Sequence, residues 1–253
     1  MSRPLIELRA GSSTLTVGDV PRVVGTLSAM PGKLPHSSRD IASDIVEIRL
    51  DHMPEESDWL EKCQIIETAG VPVLLTIRHA NEGGNWNKPE RERFALLEQA
   101  LENLSAVDVE LGSEIAADIA KVAKRRGKVC VLSFHDFEKT PPLEKLESIV
   151  KQAQAIGSVA KVSTMAKGTA DIETLRALLA KEWEVPLCVI AMGASWAETR
   201  VTFPTLGSCM TYGYLDTSAA PGQLHAEELV KRLRALMPEY DRDYSTRKRA
   251  VFK

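Results

Sequence analysis

The feature that most constrains the fold is a repeat: short runs rich in β-branched residues are separated by longer amphipathic stretches. In these stretches apolar residues recur three or four positions apart, which is helical spacing. The repeat predicts parallel strands joined by helices, because parallel neighbours need a crossover connection. We predict eight strands, at residues 23–28, 44–50, 71–77, 106–111, 128–134, 158–164, 185–191 and 209–215.

Two parallel architectures fit this repeat, an open doubly wound sheet and a closed (β/α)8 TIM barrel. No G-x-G-x-x-G motif follows the first strand, so the dinucleotide-binding version of the open sheet loses its main support. The chain has 253 residues, close to the roughly 250 residues of one (β/α)8 barrel. No linker rich in Pro, Gly or Ser divides it. We therefore predict an α/β protein with one barrel domain over residues 1–253.

The two ends of the chain fall outside the repeat. Residues 4–19 alternate in polarity around Gly11, and we predict an N-terminal hairpin within residues 1–20 that closes one end of the barrel. Residues 238–253 are strongly charged. We predict that they form a C-terminal tail that is mobile or packed on a partner.

Composition limits the partners and the compartment. The formal net charge of −3 gives no reason to expect a nucleic-acid partner. No apolar stretch is long enough to cross a bilayer, and the N-terminus lacks a cleavable apolar leader. The four cysteines are scattered, without metal-ligand spacing, which favours a reducing cytoplasm and predicts no metal site. These cysteines are Cys63, Cys130, Cys188 and Cys209.

Charged and polar residues interrupt strands that should be apolar, because parallel barrel strands are buried on both faces. A single such residue is more often part of a structural ion pair or lies at the surface. That interpretation does not explain the whole set, because an unpaired buried charge costs several kcal/mol. Most members lie near the C-terminal ends of strands, where barrel enzymes hold their active sites. The set is Glu47, Arg49, Asp51, Arg78, Asp108, Glu110, His135 and Lys161.

These residues lie in motifs whose order and strand positions resemble the type I 3-dehydroquinate dehydratase family, the Schiff-base-forming class. The resemblance extends from about Val23 to Met237. Each motif is weak alone, and their combination is specific. The motifs are EIRLD (47–51), TIR (76–78), EGG (82–84), SFHDFEKTP (133–141), KVSTMA (161–166), IAMG (190–193), GSCMTYG (207–213) and APGQ (220–223).

The resemblance implies a (β/α)8 barrel that dehydrates 3-dehydroquinate to 3-dehydroshikimate in the shikimate pathway, as a homodimer and without a metal or organic cofactor. Lys161 corresponds to the residue that forms an imine with the substrate ketone. His135 corresponds to the general acid and base, and Glu82 to the acid that orients it. These three are the expected catalytic residues.

The resemblance also implies a set of substrate-binding residues. Arg200 corresponds to the residue that pairs with the substrate carboxylate. Many family members have a serine where this chain has Ala219, so this hydroxyl contact is either absent or supplied by Ser218 after a small loop shift. The other expected binding residues are Glu47, Arg49, Arg78, Met192 and Gln223.

Two other functions remain open. A class I aldolase is also a barrel with an imine-forming lysine, although it cleaves a carbon–carbon bond and often binds phosphate. A barrel could also serve as a non-catalytic scaffold, which the convergence of a lysine, a histidine and an acid disfavours. Among the lysines, Lys139 and Lys167 lie in predicted loops, where solvent exposure is the simpler interpretation.

Overall fold

The computed structural model describes residues 4–53, 56–218 and 222–249. Two antiparallel strands come first, and eight parallel strands follow. The strands are β1 (Ile6–Ala10), β2 (Ser13–Val17), β3 (Arg22–Leu27), β4 (Ile45–Arg49), β5 (Val73–Thr76), β6 (Ala106–Glu110), β7 (Val129–Asp136), β8 (Val159–Met165), β9 (Leu187–Met192) and β10 (Met210–Tyr214).

Helices follow most of the barrel strands. The helices are α1 (Trp59–Thr68), α2 (Glu90–Asn103), α3 (Ala116–Arg125), α4 (Leu143–Ile156), α5 (Thr169–Leu179), α6 (Thr199–Thr205), α7 (Ala226–Leu236) and α8 (Pro238–Arg249).

The eight parallel strands confirm the predicted barrel. Their order is β10-β3-β4-β5-β6-β7-β8-β9, so each strand lies beside its sequence neighbour and the last lies beside the first. The remaining seam, between β9 and β10, is bridged where the Cys209 N–H donates to the Leu187 carbonyl at 2.8 Å. The Ser208 hydroxyl accepts from the Val189 N–H at 3.0 Å on the same seam. The barrel is therefore nearly closed.

Alternate residues of each strand point into the barrel, and their chemistry changes along the strand. Near the N-terminal ends these positions are apolar, and their side chains form one buried cluster with the hairpin. Towards the C-terminal ends the same rows become polar. On β6, for example, Ala106 is followed by Asp108 and Glu110, and on β8 Val159 is followed by Lys161 and Ser163. The polar upper layer rests on an apolar lower layer.

The N-terminal hairpin closes the lower end of the barrel, as predicted. Leu8, Leu15 and Val17 are buried in the same cluster as the lowest inward-facing residues of the barrel strands. Residues 1–3 of the predicted hairpin segment lie outside the described residues. The closed end leaves the opposite rim for ligand access.

Residues 238–249, predicted to form a tail that is mobile or packed on a partner, are helical and contact the barrel of the same chain, while a partner contact stays a prediction. They form α8, which packs beside the connection from β3 to β4, where the only helical segment is the 3-10 turn at Ser38–Asp40. Asp44, at the start of β4, accepts from the Tyr240 hydroxyl at 2.8 Å and from Arg247 at 2.5 Å. Arg22 of β3 pairs with Asp243. The buried charges Arg22 and Asp44 thus obtain partners from α8. Residues 250–253 lie outside the described residues.

Two helices end at glycines in the left-handed backbone region. Gly70 and Gly127 follow α1 and α3 with φ values of +85° and +63°, which favour glycine because a side chain would be strained. Gly157, which follows α4, has an extended backbone instead. Glycine is required there for space, since a Cβ would lie 2.0 Å from the Leu132 side chain.

Truncation of Tyr240 should loosen α8. Tyr240 is fully buried, so Tyr240→Ala should lower the free energy of unfolding by about 3 kcal/mol through lost packing. Tyr240→Phe removes only the hydroxyl, and about 1 kcal/mol is expected because Asp44 keeps other donors. Urea denaturation measures both, with Leu236→Ala, 58% exposed, as the control. A loss in Tyr240→Ala no larger than in the control would contradict this docking.

Candidate active site

A pocket of ≈ 120 Å³ opens at the C-terminal ends of the barrel strands. It collects nine of the ten residues predicted to form the site. Ser218 does not line it. The nine are Glu47, Arg49, Arg78, Glu82, His135, Lys161, Met192, Arg200 and Gln223.

Lys161 lies deep in this pocket and is 5% exposed. Its Nζ donates to Oδ2 of Asp108 at 3.0 Å. Asp108 belongs to β6, two strands from β8, and the intervening register neighbour of Lys161 is Ser133 on β7. The small side chain of Ser133 leaves room for the lysine to reach across β7. On the other side, Nζ lies 4.2 Å from the centre of the Tyr212 ring.

Arg78 forms a hydrogen bond with Asp108, the same carboxylate that accepts from Lys161. Its Nη2 donates to Asp108 at 2.7 Å, and its Nη1 donates to Glu110 and Ser133 at 2.8 and 2.7 Å. Burial alone would raise the pKa of the Asp108 carboxyl. The positive charge of Arg78 and, to a smaller extent, that of Lys161 outweigh burial and hold this pKa below its usual range. The resemblance implied that Arg78 binds the substrate, whereas here its Nη atoms bind protein groups. These contacts hold the Asp108 carboxylate beside the Lys161 amine.

His135 and Glu82 form the second functional pair. Oε2 of Glu82 lies 2.9 Å from Nδ1 of His135 and accepts from the backbone N–H of the same residue at 3.0 Å. Both contacts fix the imidazole relative to the carboxylate. With Nδ1 facing Glu82, Nε2 is the nitrogen left for a ligand.

Burial shifts both members of this pair towards their neutral forms. Desolvation raises the pKa of Glu82 to about 7, although Arg78 opposes the shift. Desolvation also lowers the pKa of His135 well below its usual value, and Arg78 and Lys161 add to this shift. A histidine held neutral at physiological pH can accept a proton, which is what a general base must do.

Glu82 is positioned by the two glycines that follow it. Gly83 has a φ of +77°, and a Cβ there would lie 2.4 Å from the Phe137 ring. A Cβ on Gly84 would lie 2.0 Å from the carbonyl oxygen of Arg78. Phe137 in turn stacks on His135 with ring centres 6.2 Å apart. The EGG motif is thus explained by backbone conformation and close packing.

Glu47 and Arg49 line the pocket from β4. The Glu47 carboxylate accepts from the Thr26 and Thr76 hydroxyls, each at 2.8 Å. Arg49 donates to Asp51 through Nε and Nη2 at 2.9 and 2.8 Å. These contacts orient one negative and one positive group on the same wall.

Arg200 lies on the opposite side, at 6% exposure. It donates to the carbonyls of Gly222 and Tyr212 at 3.0 and 3.1 Å. Among the residues that the structure describes, no acidic side chain forms an ion pair with it. Burial lowers the pKa of Arg200 to about 10. A buried guanidinium held only by carbonyls is suited to an anionic ligand.

Of the two residues predicted to bind the substrate from the loop after β10, the structure brings one to the pocket. Gln223 lines the pocket, whereas the Ser218 side chain is exposed and is not brought to it. Ser218 extends towards solvent because the chain has already left β10 four residues earlier. Ala219, the position where many family members have serine, lies outside the described residues, as do residues 220 and 221 of the APGQ motif.

Several residues of the site were not assigned a role from the sequence. Asp108 was noticed only as a charge in a strand, and its contact with Lys161 depends on strand register. The residues that line the pocket without an assigned role are Thr26, Gly83, Phe137, Ser163, Ile190 and Tyr212. The polar ones among them had a detectable signal, since they occupy inward-facing positions at upper strand ends.

Comparison with known proteins assigns the chain to a family. The sequence profile of type I 3-dehydroquinase matches residues 20–238. The chain belongs to the type I 3-dehydroquinase family. A 3-dehydroquinate dehydratase from Methanococcoides burtonii is 32% identical over 228 residues, covering 87% of this chain and 96% of the relative.

Solved structures agree with this family assignment. A 3-dehydroquinate dehydratase from Geobacillus kaustophilus has a TM-score of 0.77 and 25% identity, covering 92% of this chain and 96% of that one. A type I enzyme from Clostridium difficile, at 21% identity and a TM-score of 0.80, covers 94% of this chain and all of that one, and supports the fold. Membership of the type I 3-dehydroquinase family disfavours the aldolase and scaffold alternatives.

Replacing Glu82 by glutamine should change how stability depends on pH. Because the pKa of Glu82 rises from 4.5 to about 7 on folding, ionising it costs stability between these values, and the cost is complete above pH 7. Glu82→Gln should therefore raise the free energy of unfolding by up to about 3 kcal/mol at pH 8 and leave it nearly unchanged at pH 4.

Urea denaturation across this pH range measures the difference. Glu182→Gln, at an exposed position, controls for loss of a carboxylate. A difference between Glu82→Gln and the original protein that stays constant with pH would show that burial does not shift this carboxyl.

Proposed function

We propose that this chain, as a single barrel domain, dehydrates 3-dehydroquinate to 3-dehydroshikimate in the shikimate pathway through an imine on Lys161. The observation that carries the proposal is one pocket in which a buried lysine, a histidine–glutamate pair and a buried arginine lie together. Family membership supports the same substrate, because the curated relatives are 3-dehydroquinate dehydratases.

The imine solves the difficult part of this reaction. Loss of water from a β-hydroxy ketone requires removal of a proton from the carbon next to the carbonyl, and that proton is only weakly acidic. When the Lys161 amine replaces the carbonyl oxygen, the protonated C=N bond accepts the electron pair that the proton leaves behind. The enamine formed in this way can expel the neighbouring hydroxyl.

His135 performs both proton transfers in this scheme. Its neutral imidazole removes the carbon-bound proton and then donates a proton to the departing hydroxyl, which leaves as water. The Nδ1–Glu82 contact of 2.9 Å supports this role by directing Nε2 to the substrate. Glu82 also stabilises the imidazolium that forms between the two steps.

The remaining residues bind the substrate. We assign the substrate carboxylate to Arg200, since its guanidinium is buried and bonded to carbonyl groups. Glu47 and Arg49 face the hydroxyl groups from β4, Met192 supplies an apolar contact, and Gln223 supports the carboxylate end. Fixing the ring at both ends accounts for productive orientation over Lys161.

Borohydride trapping tests the nucleophile. Reduction in the presence of 3-dehydroquinate should attach the ligand covalently to Lys161, because borohydride reduces an imine to a stable amine. Mass spectrometry of peptides locates the adduct. Lys167→Ala is the matched control and should trap as the original protein does, whereas Lys161→Ala should not trap.

The same experiment separates the roles of Lys161 and His135. His135→Ala should still form the trapped adduct and should almost cease to dehydrate the substrate. An adduct on Lys167, no adduct at all, or dehydration that persists in His135→Ala without imine formation would refute the assigned roles.

The oligomeric state and the compartment stay predictions. The resemblance implies a homodimer, and the cysteine pattern favours the cytoplasm. Within the described ranges, 4–53, 56–218 and 222–249, no helix has the length and apolar character needed to cross a membrane.

A further inference from the structure

The two oxygens of the Asp108 carboxylate have different partners. Oδ1 accepts from Arg78 at 2.7 Å and from the Ser133 hydroxyl at 2.6 Å. Oδ2 accepts from Nζ of Lys161 at 3.0 Å. Asp108 is 1% exposed, so water does not screen the charge of its carboxylate. One oxygen of a buried carboxylate is thus reserved for the nitrogen that would form the imine.

Asp108 is also one member of a chain of alternating charges that runs from the pocket to α2. Beyond Arg78, the Glu110 carboxylate bridges to Arg93, which is fully buried and pairs with Glu90. Three cations and three anions balance only while the lysine nitrogen is positively charged. In order, the chain is Lys161, Asp108, Arg78, Glu110, Arg93 and Glu90.

We propose that Asp108 is the counter-ion of the protonated imine on Lys161 and keeps its nitrogen charged when the carbon-bound proton is removed. This inference rests on the proposed function, because it requires an imine at that residue. It assigns a catalytic task to a residue whose role was not predicted from the sequence.

The charge on nitrogen decides whether the imine works as an electron sink. When His135 takes the carbon-bound proton, the C–H electron pair moves into the C=N⁺ bond, giving a neutral enamine and an imidazolium. The pair then returns as the C–O bond breaks, the hydroxyl leaves as water with the proton of His135, and C=N⁺ forms again. Without its proton, the imine nitrogen would have to become an anion in the first step.

Other groups facing this nitrogen would not keep the proton there. The pocket cations Arg49, Arg78 and Arg200 favour a neutral nitrogen, and His135 on β7 is neutral because its pKa is lowered. Glu82, whose pKa of about 7 lies within the tested range, is bonded to His135 rather than to Lys161. Burial raises the pKa of the Cys188 thiol on β9 to about 11, and it also raises the pKa of the Tyr212 phenol on β10 well above its usual value. Glu47 is bonded to two threonine hydroxyls. Among the described residues, Asp108 is the anion that forms an ion pair with Lys161.

The protonation state can be observed directly by ¹⁵N–¹H NMR. Protein labelled with ¹⁵N at the lysine Nζ atoms is saturated with 3-dehydroquinate, and spectra are recorded from pH 6 to 10. In the original protein the imine nitrogen should keep its bonded hydrogen throughout. In Asp108→Asn it should lose this hydrogen within the range, and kcat at pH 9 should fall by about 10- to 1000-fold, the effect of one close opposite charge.

Two further variants separate this role from a structural one. Glu110→Gln disturbs the same chain of charges two members beyond Asp108 and should keep the imine protonated. Asp108→Glu retains the charge and should also keep it protonated, even where turnover is reduced. Should Asp108→Asn fail to fold, the spectra of the original protein and of Asp108→Glu still decide.

The possible outcomes are distinct. A neutral imine in the original protein at pH 8, or an imine in Asp108→Asn that stays protonated over the same pH range, would overturn the counter-ion role. Absence of any imine in the original protein would instead overturn the proposed function.

Discussion

A carboxylate with almost no exposure to water lies between two cations in the middle of this barrel. Asp108 bonds to Lys161 on one side and to Arg78 on the other. Removing three charges from water costs several kcal/mol for each, and the arrangement is tolerated because every charge meets an opposite one at hydrogen-bond distance. The placement of the Lys161 amine therefore depends on Asp108. The same alternation of opposite charges continues to the edge of the barrel through Arg78, Glu110 and Arg93.

The barrel makes this arrangement possible by separating two kinds of interior. Its lower interior is apolar and is closed by the β1–β2 hairpin, which supplies the burial that stabilises the fold. Its upper interior can then be polar, because each charge is reached by partners from neighbouring strands at fixed register. Thr76 is paired with Asp108, and Ser133 with Lys161, directly across adjacent strands. The register between adjacent strands therefore determines which side chains of the site lie next to each other.

Much of the fold was predictable, because the strand and helix periods are local properties of the sequence. The eight barrel strands and the hairpin follow from such patterns, and inward-facing polar residues identified the end of the barrel that holds the site. The docking of α8 could not be found in this way. Its anchors Arg22 and Asp44 lie about two hundred residues earlier, 221 residues before Asp243 and 203 before Arg247.

The candidate site was likewise predictable from the sequence only in part. Lys161, His135 and Glu82 were identified by motif and position, and the structure brings them into one pocket. The pairing of Asp108 with Lys161 was not identified, because it joins residues 53 positions apart and depends on a small side chain on the strand between them. The expected role of Ser218 depended on a loop shift, and the structure does not bring that residue to the pocket.

The central claim is that this pocket removes water from 3-dehydroquinate by way of Lys161. The most direct test follows the near-ultraviolet absorbance of the conjugated enone product after purified protein is mixed with the substrate. We expect the absorbance to rise over many turnovers with the original protein and to rise only at the uncatalysed rate with Lys161→Met. No enone from the original protein, or equal rates for the two proteins, would contradict it.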